Sequence, residues 1–188
     1  NGAIIDLGSA PGFRAINIAP NVNLVVDNVT IQNGDNGLIF DNGATAIISN
    51  SRIIRCDQGV AHYGNGTLRF EECDFLLNGD FCLNLGFEAG SVDVTVSNCN
   101  FTGDRTGISL PNGSAVVDGS RFSNLEQGVS GSGYFEITST EFLDMSFSAI
   151  NIDQVPTPGE ESEVFLDSVT TDGGEFGVLL DQGELYIT

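Results

Sequence analysis

An internal repeat of about 22 residues constrains the fold of this chain more than any other feature. Segments of eight residues alternate apolar and polar positions, and each is followed by a shorter segment of similar character. The longer segments are LVVDNVTI (24–31), AIISNSRI (46–53), LRFEECDF (68–75), VTVSNCNF (94–101), AVVDGSRF (115–122), FEITSTEF (135–142) and VFLDSVTT (164–171). The tetrapeptide AINI at 15–18 recurs at 149–152 and occupies the same position in two copies of the repeat. Short alternating segments separated by Asn-Gly turns predict an all-β parallel solenoid of about eight coils.

Equivalent residues of successive coils should stack in columns about 4.8 Å apart. One predicted inward column is Ile31, Ile53, Phe75, Phe101, Phe122 and Phe142, in which four aromatic rings would stack. A second inward column places Cys73 beside Cys99, within the range of a disulfide, but two buried free thiols packed as small hydrophobes are the favoured alternative there. Cys56 and Cys82 fall in different columns.

Other columns predict surface features. Arg52 should pair with Asp74, and Arg121 with Glu141, across adjacent coils. Asn28, Asn50 and Asn98 share a turn position, where an amide could cap the backbone of the next coil. The outward positions of the shorter segments, among them Ile39, Ala61 and Leu83, predict a small apolar stripe.

The charge excludes several partners. The chain carries 26 Asp and Glu against six Arg and no Lys, a formal net charge of −20. Such a field repels nucleic acid and anionic membranes. No apolar run is long enough for a membrane helix, so membrane insertion is not expected. The composition suits a solvated extracellular surface, divalent cations or a salty environment, and the alternative is that the charge serves solubility alone.

One acidic residue lies in the turn between the two segments of most coils. Carboxylates at such spacing are the ligands that Ca²⁺ prefers, so the sequence offers a candidate calcium edge. Its members are Asp35, Asp57, Asp80 and Asp104. The alternative is a solvated row of turn residues, and no cofactor other than Ca²⁺ is expected.

A second candidate site is the stretch 51–70, which contains the only histidine. Arg55, Asp57, His62 and Arg69 could supply a cation and a base for the cleavage of acidic polysaccharides. Against this, His62 occupies the position of Phe40 and Leu110 in other coils, as a buried residue would.

The phrases NVTIQNG…NGLIF and SNCNFTG…TGISL resemble the repeat of right-handed parallel β-helices of the pectin-lyase-like superfamily. This resemblance implies a right-handed β-helix over nearly the whole chain. The NTD, DD, GHG and RIK motifs of the polygalacturonase-like members are absent. NGAI (1–4) and FLLN (75–78) resemble repeats of bacterial cell-surface β-helix proteins.

Together these observations predict a single β-helix domain over 1–188, taken from a longer chain, with insertions near 85–92 and 153–163. The expected role is a non-catalytic structural or adhesive segment of an extracellular or cell-surface protein that binds Ca²⁺, a glycan or a surface protein. The alternative is a polysaccharide lyase or glycoside hydrolase module acting on acidic polysaccharide. Uncapped coils at both ends would also allow end-to-end or lateral self-association.

Overall fold

The computed structural model describes residues 2–8, 12–87, 90–103, 105–152 and 161–188. These residues form three parallel sheets of eight strands each and contain no helix. Each coil contributes one strand to each sheet, which confirms the predicted parallel β-helix of about eight coils. The predicted insertions lie in part outside the described residues, at 88–89 and 153–160.

The first sheet contains the second half of each longer segment, which follows the sharp bend. It consists of β1 (Ala3–Asp6), β4 (Val29–Gln32), β7 (Arg52–Ile54), β10 (Asp74–Leu76), β13 (Asn100–Thr102), β16 (Arg121–Ser123), β19 (Glu141–Met145) and β22 (Thr170–Gly173).

The second sheet contains the shorter apolar segments of the repeat. It consists of β2 (Arg14–Ile18), β5 (Asn36–Phe40), β8 (Gln58–Tyr63), β11 (Phe81–Phe87), β14 (Thr106–Leu110), β17 (Gln127–Gly131), β20 (Ser148–Ile152) and β23 (Phe176–Leu180). Both AINI copies lie here, in β2 and β20, as predicted.

The third sheet contains the first half of each longer segment. It consists of β3 (Asn23–Asp27), β6 (Thr45–Ser49), β9 (Gly66–Glu71), β12 (Val92–Ser97), β15 (Gly113–Asp118), β18 (Tyr134–Thr138), β21 (Glu163–Asp167) and β24 (Glu184–Ile187).

Each eight-residue segment is two strands joined at a sharp bend. The bend residue has a left-handed backbone, with φ of 55° at Asn28, 49° at Asn50 and 53° at Asn98. Asn tolerates this conformation better than most residues, and Gly119 occupies it in another coil. The predicted asparagine row is therefore selected by backbone conformation. The amide of Asn50 donates to the carboxylate of Asp27 rather than to the backbone of the next coil.

The bend also resets the alternation of side chains. On one continuous strand, residues five positions apart point to opposite faces. Val26 and Ile31 are nevertheless both buried, because the left-handed residue between them shifts the inward positions by one. Apolar residues on both sides of the bend can therefore enter one core.

The predicted phenylalanine column is confirmed. Register pairs Phe75 with Phe101, Phe101 with Phe122, and Phe122 with Phe142. The ring centroids are 4.8, 4.4 and 4.8 Å apart, and the planes lie within 16° of parallel. All four side chains are fully buried, so the column forms the centre of the core.

The residues after the bend form a hydrogen-bonded column inside the core. The Cys73 N–H donates to Cys99 Sγ (3.4 Å), the Cys99 N–H to Ser120 Oγ (3.1 Å), and the Ser120 N–H to Thr140 Oγ1 (3.4 Å). The Val29 N–H donates to Ser51 Oγ in the same way. Because each backbone N–H needs an acceptor there, Ser, Thr and Cys fit this column better than aliphatic residues.

The four cysteines are buried free thiols. Of the two alternatives for Cys73 and Cys99, the structure therefore shows thiols packed in the core and no disulfide between them.

The predicted apolar stripe on the second sheet is wrong in part. Leu83 pairs with Val60 and Ile108, so it lies in an inward column and belongs to the core. The residue that follows Ala61 in the outward column is Asn84. Ile39 and Ala61 are only 2% exposed. The stripe is therefore not a free apolar surface.

Candidate functional site

His62 lies inside the core and not on the surface. It pairs in register with Phe40, its ring stacks on the Phe40 ring (centroids 6.0 Å apart), and it is fully buried. Its Nε2 lies 3.4 Å from the carbonyl oxygen of Ala44. A Cβ on Gly66 would lie 2.1 Å from Nε2, so a glycine there makes room for the imidazole. Burial lowers the pKa of His62 below its usual value, which keeps the ring neutral.

The other three residues of the candidate catalytic group point to solvent. Arg55 is exposed at the turn after β7, with a left-handed φ of 53°. Asp57 is exposed two residues later in the same turn. Arg69 lies on the outer face of the third sheet and forms an ion pair with Glu71 of its own strand. The structure therefore does not bring Arg55, Asp57, His62 and Arg69 together around one point.

Three of the four candidate metal ligands do form a column. The Gln58 N–H donates to the carbonyl of Asp35, and the Asp80 N–H donates to the carbonyl of Asp57, both at 2.8 Å. Register between β5, β8 and β11 therefore stacks Asp35, Asp57 and Asp80. We call these three residues the aspartate column.

The fourth candidate ligand, Asp104, lies outside the described residues. The register of β11 with β14 pairs Phe81 with Thr106, so Arg105 follows Asp80 in the column. Arg105 forms an ion pair with Glu126 (3.3 Å), the next column member. Among the described residues, no three His, Cys, Asp or Glu side chains converge closely enough to hold a metal ion.

Both predicted ion pairs on the first sheet are present. Arg52 Nε lies 3.2 Å from Asp74 Oδ2, and Arg121 Nη1 lies 3.7 Å from Glu141 Oε2. Both pairs are about half exposed, so each contributes at most about 1 kcal/mol to stability.

All four thiols are buried; a hydrogen bond with Cys99 lowers the pKa of Cys73, whereas two other thiols are held protonated. Burial raises the pKa of Cys56, and a hydrogen bond with Cys73 together with burial raises the pKa of Cys99. A thiol held protonated in this way is unreactive as a nucleophile and as a metal ligand.

The outer edge of the third sheet carries a column that the sequence analysis missed. Carboxylates and hydroxyls alternate along it, coil by coil. Its members are Asp27, Ser49, Glu71, Ser97, Asp118, Thr138 and Asp167. Ser49 Oγ donates to Asp27 Oδ1 (2.8 Å), and Thr138 Oγ1 donates to Asp118 Oδ1 (2.7 Å). The Asn50 amide and the Ser49 hydroxyl hold the pKa of Asp27 below its usual value. The hydroxyls of the column separate its negatively charged carboxylates and stabilise them through these hydrogen bonds.

Three aromatic residues lie on the same outer face, two of them exposed and Phe165 half-buried, and these were also missed. Phe165 stacks on Tyr186 (centroids 4.5 Å apart, planes 3° apart) and contacts Tyr134 at 5.5 Å. We call Tyr134, Phe165 and Tyr186 the aromatic strip. Aligning the third strand of each coil would have revealed it, because all three residues occupy outward positions there.

A polar cleft of about 440 Å³ lies at the turn between the second and third sheets. Asp41, Asn42, Tyr63 and Asn65 contribute to its lining. Asn42 Oδ1 accepts a hydrogen bond from the Asn65 N–H (2.8 Å), and Asn65 Oδ1 accepts one from the Ser91 N–H (2.9 Å). Asparagine side chains therefore do link the backbones of adjacent coils, but at this turn and not at the bend.

Comparisons with known proteins add no family. A scan of the chain against protein-family models, a search of curated proteins and a search of solved structures gave no match. Within the described residues, no helix long and apolar enough to cross a membrane is present.

Proposed function

We propose that this chain is a non-catalytic structural and adhesive segment of an extracellular or cell-surface β-helix protein. The observation that carries this proposal is the position of its only histidine, which is stacked in the core while Arg55, Asp57 and Arg69 face solvent. Because Arg55, Asp57, His62 and Arg69 do not converge, these four residues do not assemble the acid–base pair that polysaccharide cleavage requires. The repeat's resemblance to bacterial cell-surface β-helix proteins supports the proposed location.

The structure suits a rigid spacer. Parallel hydrogen bonds join each coil to the next in all three sheets. The phenylalanine column and the Ser/Cys/Thr column add side-chain contacts between the same coils. Bending the rod would break several of these contacts together, so the segment should transmit force and hold attached domains apart.

An activity assay tests the absence of catalysis. The protein is incubated with polygalacturonate and with alginate, with and without Ca²⁺; ultraviolet absorbance detects unsaturated lyase products, and a reducing-end assay detects hydrolysis. We expect no turnover in any condition. Turnover that disappears in Asp57→Asn or Arg69→Gln would overturn the proposal in favour of a lyase.

We also propose Ca²⁺ as a ligand of the aspartate column, because stacked carboxylates and turn carbonyls are hard oxygen donors. Thermal unfolding is compared in Ca²⁺ and in EDTA at equal ionic strength. A site specific for the native state should raise Tm by several degrees, and the double variant Asp57→Asn/Asp80→Asn should lose that shift. Asp172→Asn/Asp181→Asn removes the same charge away from the column and should retain it. An equal loss in both variants would reduce the effect to charge screening.

The glycan part of the proposal rests on the polar cleft. A carboxylate, two amides and a tyrosine are groups that hydrogen-bond sugar hydroxyls. Neutral oligosaccharides titrated into labelled protein should shift the backbone resonances of Asn42 and Asn65. Tyr63→Phe should weaken binding while leaving the spectrum of the core unchanged. Shifts that are absent, or scattered over all three sheets, would contradict this assignment.

A further inference from the structure

We propose that the aromatic strip and its neighbouring carboxylates form a docking surface for a basic segment, rich in Lys or Arg, of a partner protein. The inference deepens the adhesive role proposed above by naming the class of partner, and it rests on that role.

The strip lies on the outer face of β18, β21 and β24. Tyr134 is 36% exposed and Tyr186 is 43% exposed, whereas the side chains on the inner face of β18 and β21 are buried. A surface depression of about 210 Å³ lies against it, lined in part by Glu136, Phe165, Asp167 and Tyr186. An apolar floor and two carboxylates therefore share one concave site.

The carboxylates around the strip are held in place. Tyr134 Oη donates to Glu136 Oε2 (3.0 Å), and Tyr186 Oη donates to Glu184. These hydrogen bonds raise the pKa of both tyrosines, so the phenols remain donors. A carboxylate has about four acceptor positions, so Glu136 and Glu184 can still accept hydrogen bonds from a ligand.

The charge of this region selects a cationic partner. Residues 122–188 contain 13 of the 26 acidic residues of the chain and no Lys or Arg. Upstream, Arg52, Arg69, Arg105 and Arg121 each pair with a carboxylate. Only two of those carboxylates, Glu126 and Glu141, lie beyond residue 121. The carboxylates beside the strip therefore have no basic residue of their own segment to neutralise them, and a cationic ligand would complement them.

The geometry of the rings favours a polypeptide over an aminated glycan. Sugars stack on the free face of an aromatic ring, but the facing surfaces of Phe165 and Tyr186 are covered by each other. The ring edges form an apolar ledge instead. Lys and Arg side chains carry an apolar stem below a charged head, so the stem can lie on the ledge while the head reaches Glu136, Glu163 or Asp167.

Tyrosine fluorescence offers a direct measurement, because two of the three tyrosines belong to the strip and the chain has no Trp. The probe is an eight-residue peptide of alternating Arg and Thr, titrated into the complete chain. A peptide of alternating Glu and Thr, and a chitosan oligomer, serve as comparison ligands. Circular dichroism and thermal unfolding of every variant verify the fold independently.

We expect the basic peptide to bind and its affinity to fall with added salt. Glu163→Gln/Asp167→Asn should weaken binding about tenfold. Phe165→Thr should weaken it similarly, because Thr is tolerated at outward strand positions and occupies this column as Thr95. Asp172→Asn/Asp181→Asn removes the same charge from other faces and should change affinity less than twofold.

Several results would overturn the inference. If both charge-removing double variants weaken binding equally, the basic peptide responds only to the overall negative charge of the protein. Tighter binding of chitosan than of peptide would assign the face to a cationic glycan. No binding by a protein that is folded and inactive on polysaccharide would remove the docking surface while leaving the structural proposal intact.

Discussion

Replacing Phe101 with Leu should destabilise the protein more than the same replacement at Phe135. Both side chains are fully buried, so each replacement removes a similar apolar area and leaves a similar cavity. Phe101 stacks between Phe75 and Phe122, with nearly parallel rings on both sides. Phe135 lies in a column between Ala115 and Val164 and has no aromatic neighbour in that column.

The difference between the two variants isolates the stacking. Each aromatic pair contributes about 0.5–1.5 kcal/mol beyond its buried area. Phe101→Leu loses two such pairs, so its free energy of unfolding should fall by about 1–3 kcal/mol more than that of Phe135→Leu. Phe101→Ala should cost about 3–5 kcal/mol in total.

Equilibrium unfolding in urea, extrapolated linearly to water, measures both variants. Solenoids can unfold in parts, so the slope of each transition is compared with that of the unsubstituted protein. Equal destabilisation with unchanged slopes would refute the reasoning, because the rings would then contribute only as packed volume. A larger loss in Phe135→Leu would refute it as well.

Three further variants test individual contacts. Burial lowers the pKa of His62, so the unfolded state takes up a proton on this residue at a higher pH than the folded state does, and stability should decline as pH falls below about 6.5. His62→Phe should reduce that decline, measured by urea unfolding between pH 7.5 and 5.5. An unchanged pH profile would contradict the burial argument. Ser120→Ala leaves the Cys99 N–H without its acceptor and should lower the free energy of unfolding by about 1–3 kcal/mol in the same assay, whereas Ser120→Cys should lower it less. Equal losses in the two variants would argue against the hydrogen-bonded column. Asn50→Ala should lower the free energy of unfolding by about 1–2 kcal/mol, because position 50 has a left-handed backbone that Ala adopts at a cost. Asn50→Gly places at this position the residue type found at Gly119 and should lower it less. The reverse order would show that the Asn50 side chain matters more than the backbone conformation.

The sequence predicted the interior well where the repeat is regular. The successive spacings from Phe75 to Phe142 are 26, 21 and 20 residues, and all four rings stack as expected. The ion pairs Arg52–Asp74 and Arg121–Glu141 followed from the same alignment. Neighbours in a solenoid lie one coil apart, so a single alignment of the repeats names most contacts.

The candidate sites were predicted less well because they lie beside turns. Coil length varies, and the sequence does not say which turn takes up an extra residue. The observed register differs from the predicted alignment of the repeats by one residue at these turns. It therefore places Leu83 in the core rather than on the surface, and it places Arg105 after Asp80 in the aspartate column. In a strand, such a shift moves every side chain to the opposite face.

The sequence by itself determined that this chain stacks short strands in coils, that aromatic residues fill the core, and that its surface is strongly acidic. Only the tertiary structure decided that each coil has three strands, because the left-handed bend at positions such as Asn50 is invisible in an alternating pattern. It also decided that His62 is buried, and that Tyr134, Phe165 and Tyr186 meet on one face. Residues that lie 20 to 30 positions apart become neighbours only once the hydrogen bonds between coils fix the register.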